Sequence, residues 1–349
     1  MISKRTFRIG SVLSAVSIFL SLSGTGYGLN INLNANASLL SNTAAFDAFR
    51  RAADKWESVL SDDVTVTIDA GLESLGSSIL GSTSNVSLTT SYDWFRGLMV
   101  ADELADTSGI NPVVGALPAA SDLGFFLPTG FTLNGSISAS KANIKALGYD
   151  GLDTIFGASD GTINFSSDFA FDFDNSDGVS SGLFDFESVA VHEIGHLLGF
   201  VSVVDQIDAM VENNLVGAVA PTLLDLFRFA SVPGYFPLTL AEFATVPRVL
   251  LPGVASHFDT VEVKVPMSTG FFNGNGAQAS HWLDDAGLGI LDPTLSVLEV
   301  GALSSSDLLA MDVIGWDLRA VPDAVSSASL FLIGIGFACW ARRRWPSLR

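Results

Sequence analysis

Val191-His192-Glu193-Ile194-Gly195-His196-Leu197-Leu198-Gly199-Phe200 is the stretch from which the rest of the chain is read. Residues four apart share one face of a helix, so on a helix His192 and His196 can both reach one zinc ion at ~2.0–2.1 Å. Glu193 stands beside them, where a carboxylate can hold and deprotonate a metal-bound water whose pKa zinc lowers from about 15.7 to about 7. Ala190, Ile194 and Leu197 fall on the opposite face and would anchor the helix in a core. Asp185 is the expected N-cap and Gly199 the expected left-handed C-cap. The competing reading is two core histidines satisfied by backbone carbonyls. A chain with only four histidines that places two of them at this spacing around a glutamate favours the zinc reading.

A catalytic zinc needs a third protein ligand and one open position. The remaining histidines are His257, in Ser256-His257-Phe258-Asp259, and His281, in Ala279-Ser280-His281-Trp282-Leu283-Asp284. Asp205 and Glu212 are carboxylate candidates, although both follow His196 closely enough that the chain must turn back sharply. All four stay open on spacing alone. The acidic turn Asp172-Phe173-Asp174-Asn175-Ser176-Asp177-Gly178 resembles a calcium loop in composition. Glycine falls at its seventh position and no Glu stands at the twelfth, so a solvated turn is the first reading and Ca2+ the second.

Outward from the motif, helical periodicity predicts an amphipathic helix over 42–60, another over about 92–104, the motif helix from 186, and a last one over 304–313. Helical character also marks 222–229. Strands are expected at 64–68, 82–91, 162–166, 248–251 and 261–265, and Gly, Pro and Ala make 107–137 loop-rich. Strands and helices intermixed in this way make an α+β chain. No internal repeat is visible.

The ends have a different character. Lys4, Arg5 and Arg8 precede an apolar run over 12–22 and small residues around Gly24, Gly26 and Gly28, the order of a secretory signal peptide at 1–28. Val321-Pro322-Asp323, an apolar run over 328–341 and Arg342-Arg343-Arg344 form a tail over 321–349. That leaves a body over 29–320, divided near residue 200 into N- and C-terminal subdomains. The net charge is −20 for the whole chain, and the two ends carry seven basic residues and one acid, so the body is more acidic still. A nucleic-acid partner is not expected. The single cysteine, Cys339, lies in the tail, so no disulfide can brace the body.

The HExxHxxG run at 192–199, followed at a distance by Ser280-His281-Trp282 and Ile290-Leu291-Asp292-Pro293, resembles the leishmanolysin-like arrangement of the metzincins. In that family an insertion separates the first motif from the third histidine, and a methionine turn beneath the metal follows. Compact metzincins place their third histidine three residues after the glycine, where this chain has Ser202. The resemblance covers 184–200 and 280–295 and, more loosely, Asp312-Val313-Ile314-Gly315-Trp316. It implies a metzincin-like zinc protease: a twisted mixed sheet, an active-site helix and an irregular C-terminal subdomain. His192, His196 and His281 would be the ligands, Glu193 the base, and an edge strand at 162–166 would align an extended peptide. Leu291 occupies the methionine position, an apolar side chain of similar volume.

The tail resembles a PEP-CTERM sorting signal in a Val-Pro-Asp variant, as in a group of bacterial HExxH metalloproteases. This implies processing by an exosortase, transient membrane association through the apolar helix, and export to the surface, matrix or medium of a Gram-negative bacterium. The expectation is a secreted zinc metalloendopeptidase acting on extracellular proteins or peptides. Its alternative is a non-catalytic, adhesin-like surface or matrix protein with a structural or degenerate metal site.

Overall fold

The computed structural model describes residues 28–106 and 111–319, so the expected signal peptide, apart from Gly28, and the sorting tail lie outside the described residues. Among the described residues no helix is long and apolar enough to cross a membrane. The chain is a mixed α+β protein built on small sheets.

Alternating burial makes the main sheet. In β1 (Asn30–Ala35) Ile31 points inward between exposed Asn30 and Asn32, β2 (Thr65–Glu73) buries Val66, Ile68 and Ala70, and β3 (Gly81–Asn85) is a short polar strand. Beyond it β4 (Ser87–Ser91) pairs antiparallel with β5 (Ser136–Ser140), while β6 (Gly161–Ser166) buries Ile163 and Phe165. The main sheet runs β1-β2-β6-β3, parallel at the first two junctions and antiparallel at the last. The strand expected as the edge, 162–166, is therefore internal. β3 holds that position because it closes antiparallel over β6. The Ser/Thr-rich run read as one strand over 82–91 is two, since the backbone changes partners at Val86: its N–H donates to Asp160 O while its carbonyl accepts from Lys141 N.

Helix α1 (Thr43–Val59), capped by Asn42, α2 (Tyr92–Ala105) and α3 (Lys141–Ala146) precede the motif helix α4 (Phe186–Leu198), and α5 (Val204–Glu212) follows it. Beyond α5, a three-stranded antiparallel sheet is ordered β7 (Arg228–Ala230), β8 (Ser256–Asp259), β9 (Lys264–Met267). Helix α6 (Ser305–Val313), closed by a capping box on Ser304, ends the body. Of the helical stretch expected at 222–229, a 3-10 turn over Leu224–Phe227 forms.

Helix α4 lies against both α1 and the sheet. Trp56 of α1 is fully buried and donates from Nε1 to Val191 O at 2.9 Å, and Glu187 pairs with Arg51 and Lys55 of α1 at 2.7 Å each. One continuous cluster runs from Phe49, Ile68 and Phe165 through Ile194 and Leu197 to Leu291, Met311 and Trp316, so both expected subdomains share a core. Burial on this scale contributes about 1.5–3 kcal/mol per large apolar side chain.

A charged group is also built into this interior. Asp160, fully buried at the start of β6, accepts from Thr67 N at 2.7 Å and Lys145 Nζ at 2.9 Å, with the buried Lys141 ammonium 3.6 Å away. Asp153 also reaches Lys141 and Lys145, at 2.7 and 2.9 Å, but from the surface, so removing Asp160 takes away the one buried carboxylate of the cluster. Asp160→Ala should lose about 3–5 kcal/mol of unfolding free energy in urea, by this reasoning; a loss under 1 kcal/mol would show that Asp160 does not hold β6 to α3.

Candidate metal centre

Helix α4 begins where Asp185 accepts from Ser188 N at 3.0 Å, the expected N-cap, and Asn175 Nδ2 donates to the same carboxylate at 3.0 Å. The acidic turn thus braces the start of the motif helix. Its own carboxylates turn to backbone amides: Asp172 accepts from Asp174 N and Ser180 N, and Asp174 from Ser176 N. These bonds hold the Asp172 pKa below the ordinary carboxylate value, and the Ser176 hydroxyl together with its N–H does the same for Asp174. The helix ends at Gly199, whose φ of 126° lies where a side chain would be strained, and where a Cβ would sit 2.9 Å from Asn143 Oδ1. That turn brings Phe200 O back to within 2.8 Å of His196 Nδ1.

The structure brings His281 to the helical pair. The three Nε2 atoms form a nearly equilateral triangle: His192 to His196 3.0 Å, His192 to His281 3.1 Å, His196 to His281 3.1 Å. Each Nδ1 faces a main-chain carbonyl, His192 toward Ile290 O at 2.8 Å, His196 toward Phe200 O at 2.8 Å and His281 toward Gln278 O at 3.1 Å. A carbonyl can only accept, so each Nδ1 carries the hydrogen and each Nε2 presents a lone pair. Three lone pairs directed at one another repel unless a cation lies among them, and this tautomer pattern is that of metal-binding imidazoles. Among the described residues, this is the only set of three or more His, Cys, Asp or Glu groups whose ligand atoms lie within 4.8 Å of one another.

The other candidates are elsewhere. His257 lies between Asp259 Oδ2 and Ser231 Oγ, each at 2.9 Å, and Glu212 is exposed at the end of α5. Asp205 reaches the neighbourhood in another capacity: it accepts from Ala279 N at 2.5 Å, Ser280 N at 3.0 Å and the Ser280 hydroxyl, holding the backbone just before His281. Ser202 belongs to the same clasp, its N–H donating to Ser280 Oγ at 2.8 Å and its hydroxyl to Asp225 at 2.6 Å.

Further staples were not legible beforehand. Buried Arg228 donates to Ala279 O and Ser268 O, and Ser268 N donates to His281 O at 3.0 Å. Asp307 accepts from Trp282 Nε1, Ile290 N and Leu291 N, fixing the loop that supplies Ile290 O to His192. Leu291 itself packs against the helix at Gly195, where an added Cβ would lie 3.1 Å from its Cδ2.

Glu193 is 6% exposed and lies on the β3 side of α4. Thr83 Oγ1 is 2.7 Å from Glu193 Oε2 and 3.0 Å from Glu193 O, and Asn85 Nδ2 donates to His196 O at 3.0 Å. Desolvation raises the Glu193 pKa, opposed by His192 and by the Thr83 bond. The Gly81-x-Thr83-x-Asn85 alternation was the available signal for these contacts, because every second residue of a strand faces the same neighbour.

No family model, no curated protein and no solved structure matches this chain. The centre is therefore defined by its own geometry: three convergent imidazoles on an α+β scaffold, with a carboxylate on the adjoining helical position.

Burial lowers the His196 pKa to about 3 and that of His281 well below its ordinary value. An unfolded imidazole takes its proton near pH ~6.5, so below that pH the unfolded chain binds more protons than the folded one. Stability is thus fully present above ~6.5 and is lost as pH falls toward 3. Acid also competes with metal for the same nitrogens. The zinc-dependent gain in Tm should shrink steadily between pH 7 and pH 5, and in His281→Ala it should be largely absent at both; calorimetry with and without zinc measures this.

Proposed function

We propose that this protein is an exported zinc-dependent endopeptidase with a metzincin-like centre. The single observation that carries the reading is the convergence of three Nδ1-protonated imidazoles beside Glu193. A purely structural zinc is closed by four protein ligands, whereas three ligands with a neighbouring carboxylate make the pattern of a hydrolytic site. Zinc bound there would supply a Lewis acid for the scissile carbonyl and lower the pKa of a coordinated water.

The chain's own groups do the rest. His192, His196 and His281 would hold the ion, and their Nδ1 bonds to carbonyls fix each ring's orientation. Glu193 takes a proton from the attacking water at its carboxylate and passes it to the leaving amine. Strand β3 offers the substrate-aligning edge. Its pairing places residues 82 and 84 in hydrogen-bonded positions toward β6, consistent with the bonds of Ser166 N to Leu80 O and Val86 N to Asp160 O at either end. The main-chain groups of Gly81, Thr83 and Asn85 therefore face outward, where an extended peptide can add as a strand.

Glu193→Gln should retain one zinc per chain and its Tm while losing about 10²–10⁴-fold in kcat on a protein substrate such as casein. Undiminished hydrolysis would remove Glu193 as the base. Zinc-loaded wild-type protein that cleaves neither casein nor a mixed peptide library would favour the adhesin-like reading.

A further inference from the structure

We infer that Thr83 is a positioning residue that ties the carboxylate of Glu193 to the edge strand, so that one residue serves both the base and the docking edge. This rests on the peptidase reading above. Its side chain and its main chain point to different tasks. The Thr83 hydroxyl donates to Glu193 Oε2 at 2.7 Å in a nearly closed space. Its N–H and C=O occupy a non-hydrogen-bonded position of the β3-β6 ladder and face the free edge.

Two residues earlier on the same face, Gly81 leaves room for the carboxylate. A Cβ there would come within 2.7 Å of both Glu193 Cγ and Oε1. Gly81 and Thr83 together form a slot: the first accommodates the stem and one oxygen, and the second holds the other oxygen. Oε2 is held by the tether, while Oε1 lies against the bare Cα of Gly81. A peptide that adds to β3 would bond the backbone of residue 83 and so bear directly on the group that positions the base. Substrate docking and base orientation would then be mechanically coupled through one Cα.

The test uses the zinc-loaded protein and three variants. Thr83→Val keeps the branched shape and removes the donor, Thr83→Ser keeps the donor, and Gly81→Ala fills the slot. Removing an outer partner of this kind typically costs about 10–100-fold, so Thr83→Val should lower kcat by about that factor with little change in KM. Thr83→Ser should recover activity to within a few-fold of wild type, and Gly81→Ala should behave like Thr83→Val. Zinc stoichiometry should be unchanged in all three. A second readout is independent of turnover: in crystal structures of the metal-free proteins the Glu193 carboxylate should lie beside residue 83 in wild type and Thr83→Ser, and leave it in Thr83→Val. If wild type is active, Glu193→Gln inactive and Thr83→Val as fast as wild type, the tether is overturned and the peptidase reading stands. If wild type itself hydrolyses no peptide, both fall. An unmoved carboxylate in the Thr83→Val crystal overturns the tether whatever the kinetics.

Discussion

Three imidazole lone pairs aimed at one point are the constraint on which the rest of this structure depends. In water each Nε2 would be solvated, and bringing three of them to within 3.0–3.1 Å of one another is unfavourable without a cation. The protein nevertheless fixes every ring by the opposite nitrogen. The three accepting carbonyls come from different places: the turn after α4, the segment before His281, and the loop before Leu291. The tautomer is thereby set by backbone geometry, and the side chains have no low-cost way to turn the hydrogen inward.

Holding one imidazole from a loop is harder than holding two from a helix. His192 and His196 inherit their spacing from the helical repeat, and Trp56 and the Arg51–Glu187–Lys55 group fix that helix to α1. His281 has no such repeat beneath it. Its loop is held by buried charges: Asp205 beneath Ala279 and Ser280, Arg228 on the carbonyls of Ser268 and Ala279, and Asp307 on Trp282, Ile290 and Leu291. Charged groups bonded to several main-chain amides at once resist local opening more than neutral bonds do. In a body without cysteine they provide the rigidity that a disulfide would otherwise give.

The main sheet meets the motif helix through one short, polar strand. β2 and β6 are apolar on one face and belong to the core, while β3 carries Gly81, Thr83 and Asn85 toward the motif helix and its outer main-chain groups toward the unpaired edge of the sheet. A more apolar edge would invite uncontrolled pairing with other chains; Ser82 and Ser84 on the exposed face reduce that hazard. The edge thus meets the helix through specific polar contacts at Glu193 and His196, while apolar packing joins α4 to the neighbouring β6 and to α1.

The sequence by itself determined what depends on local periodicity: the motif helix with its Asp185 cap and Gly199 exit, the flanking helices read over 42–60 and 304–313, which form within a residue of those bounds, and the two histidines four residues apart. Repeats of 3.6 and 2 residues are written in the order of side chains, so these features need no distant partner. Which of His257, His281, Asp205 and Glu212 would join the helical pair was not determined in this way, nor was the identity of the edge strand. Those depended on how the chain between residues 201 and 280 folds back, and on whether β3 or β6 lies outermost. Tertiary structure decided both, because the position of a loop side chain and a strand order are fixed by long-range staples and pairings: Asp205 on Ser280, Asp307 on Ile290, and Val86 exchanging one sheet for another.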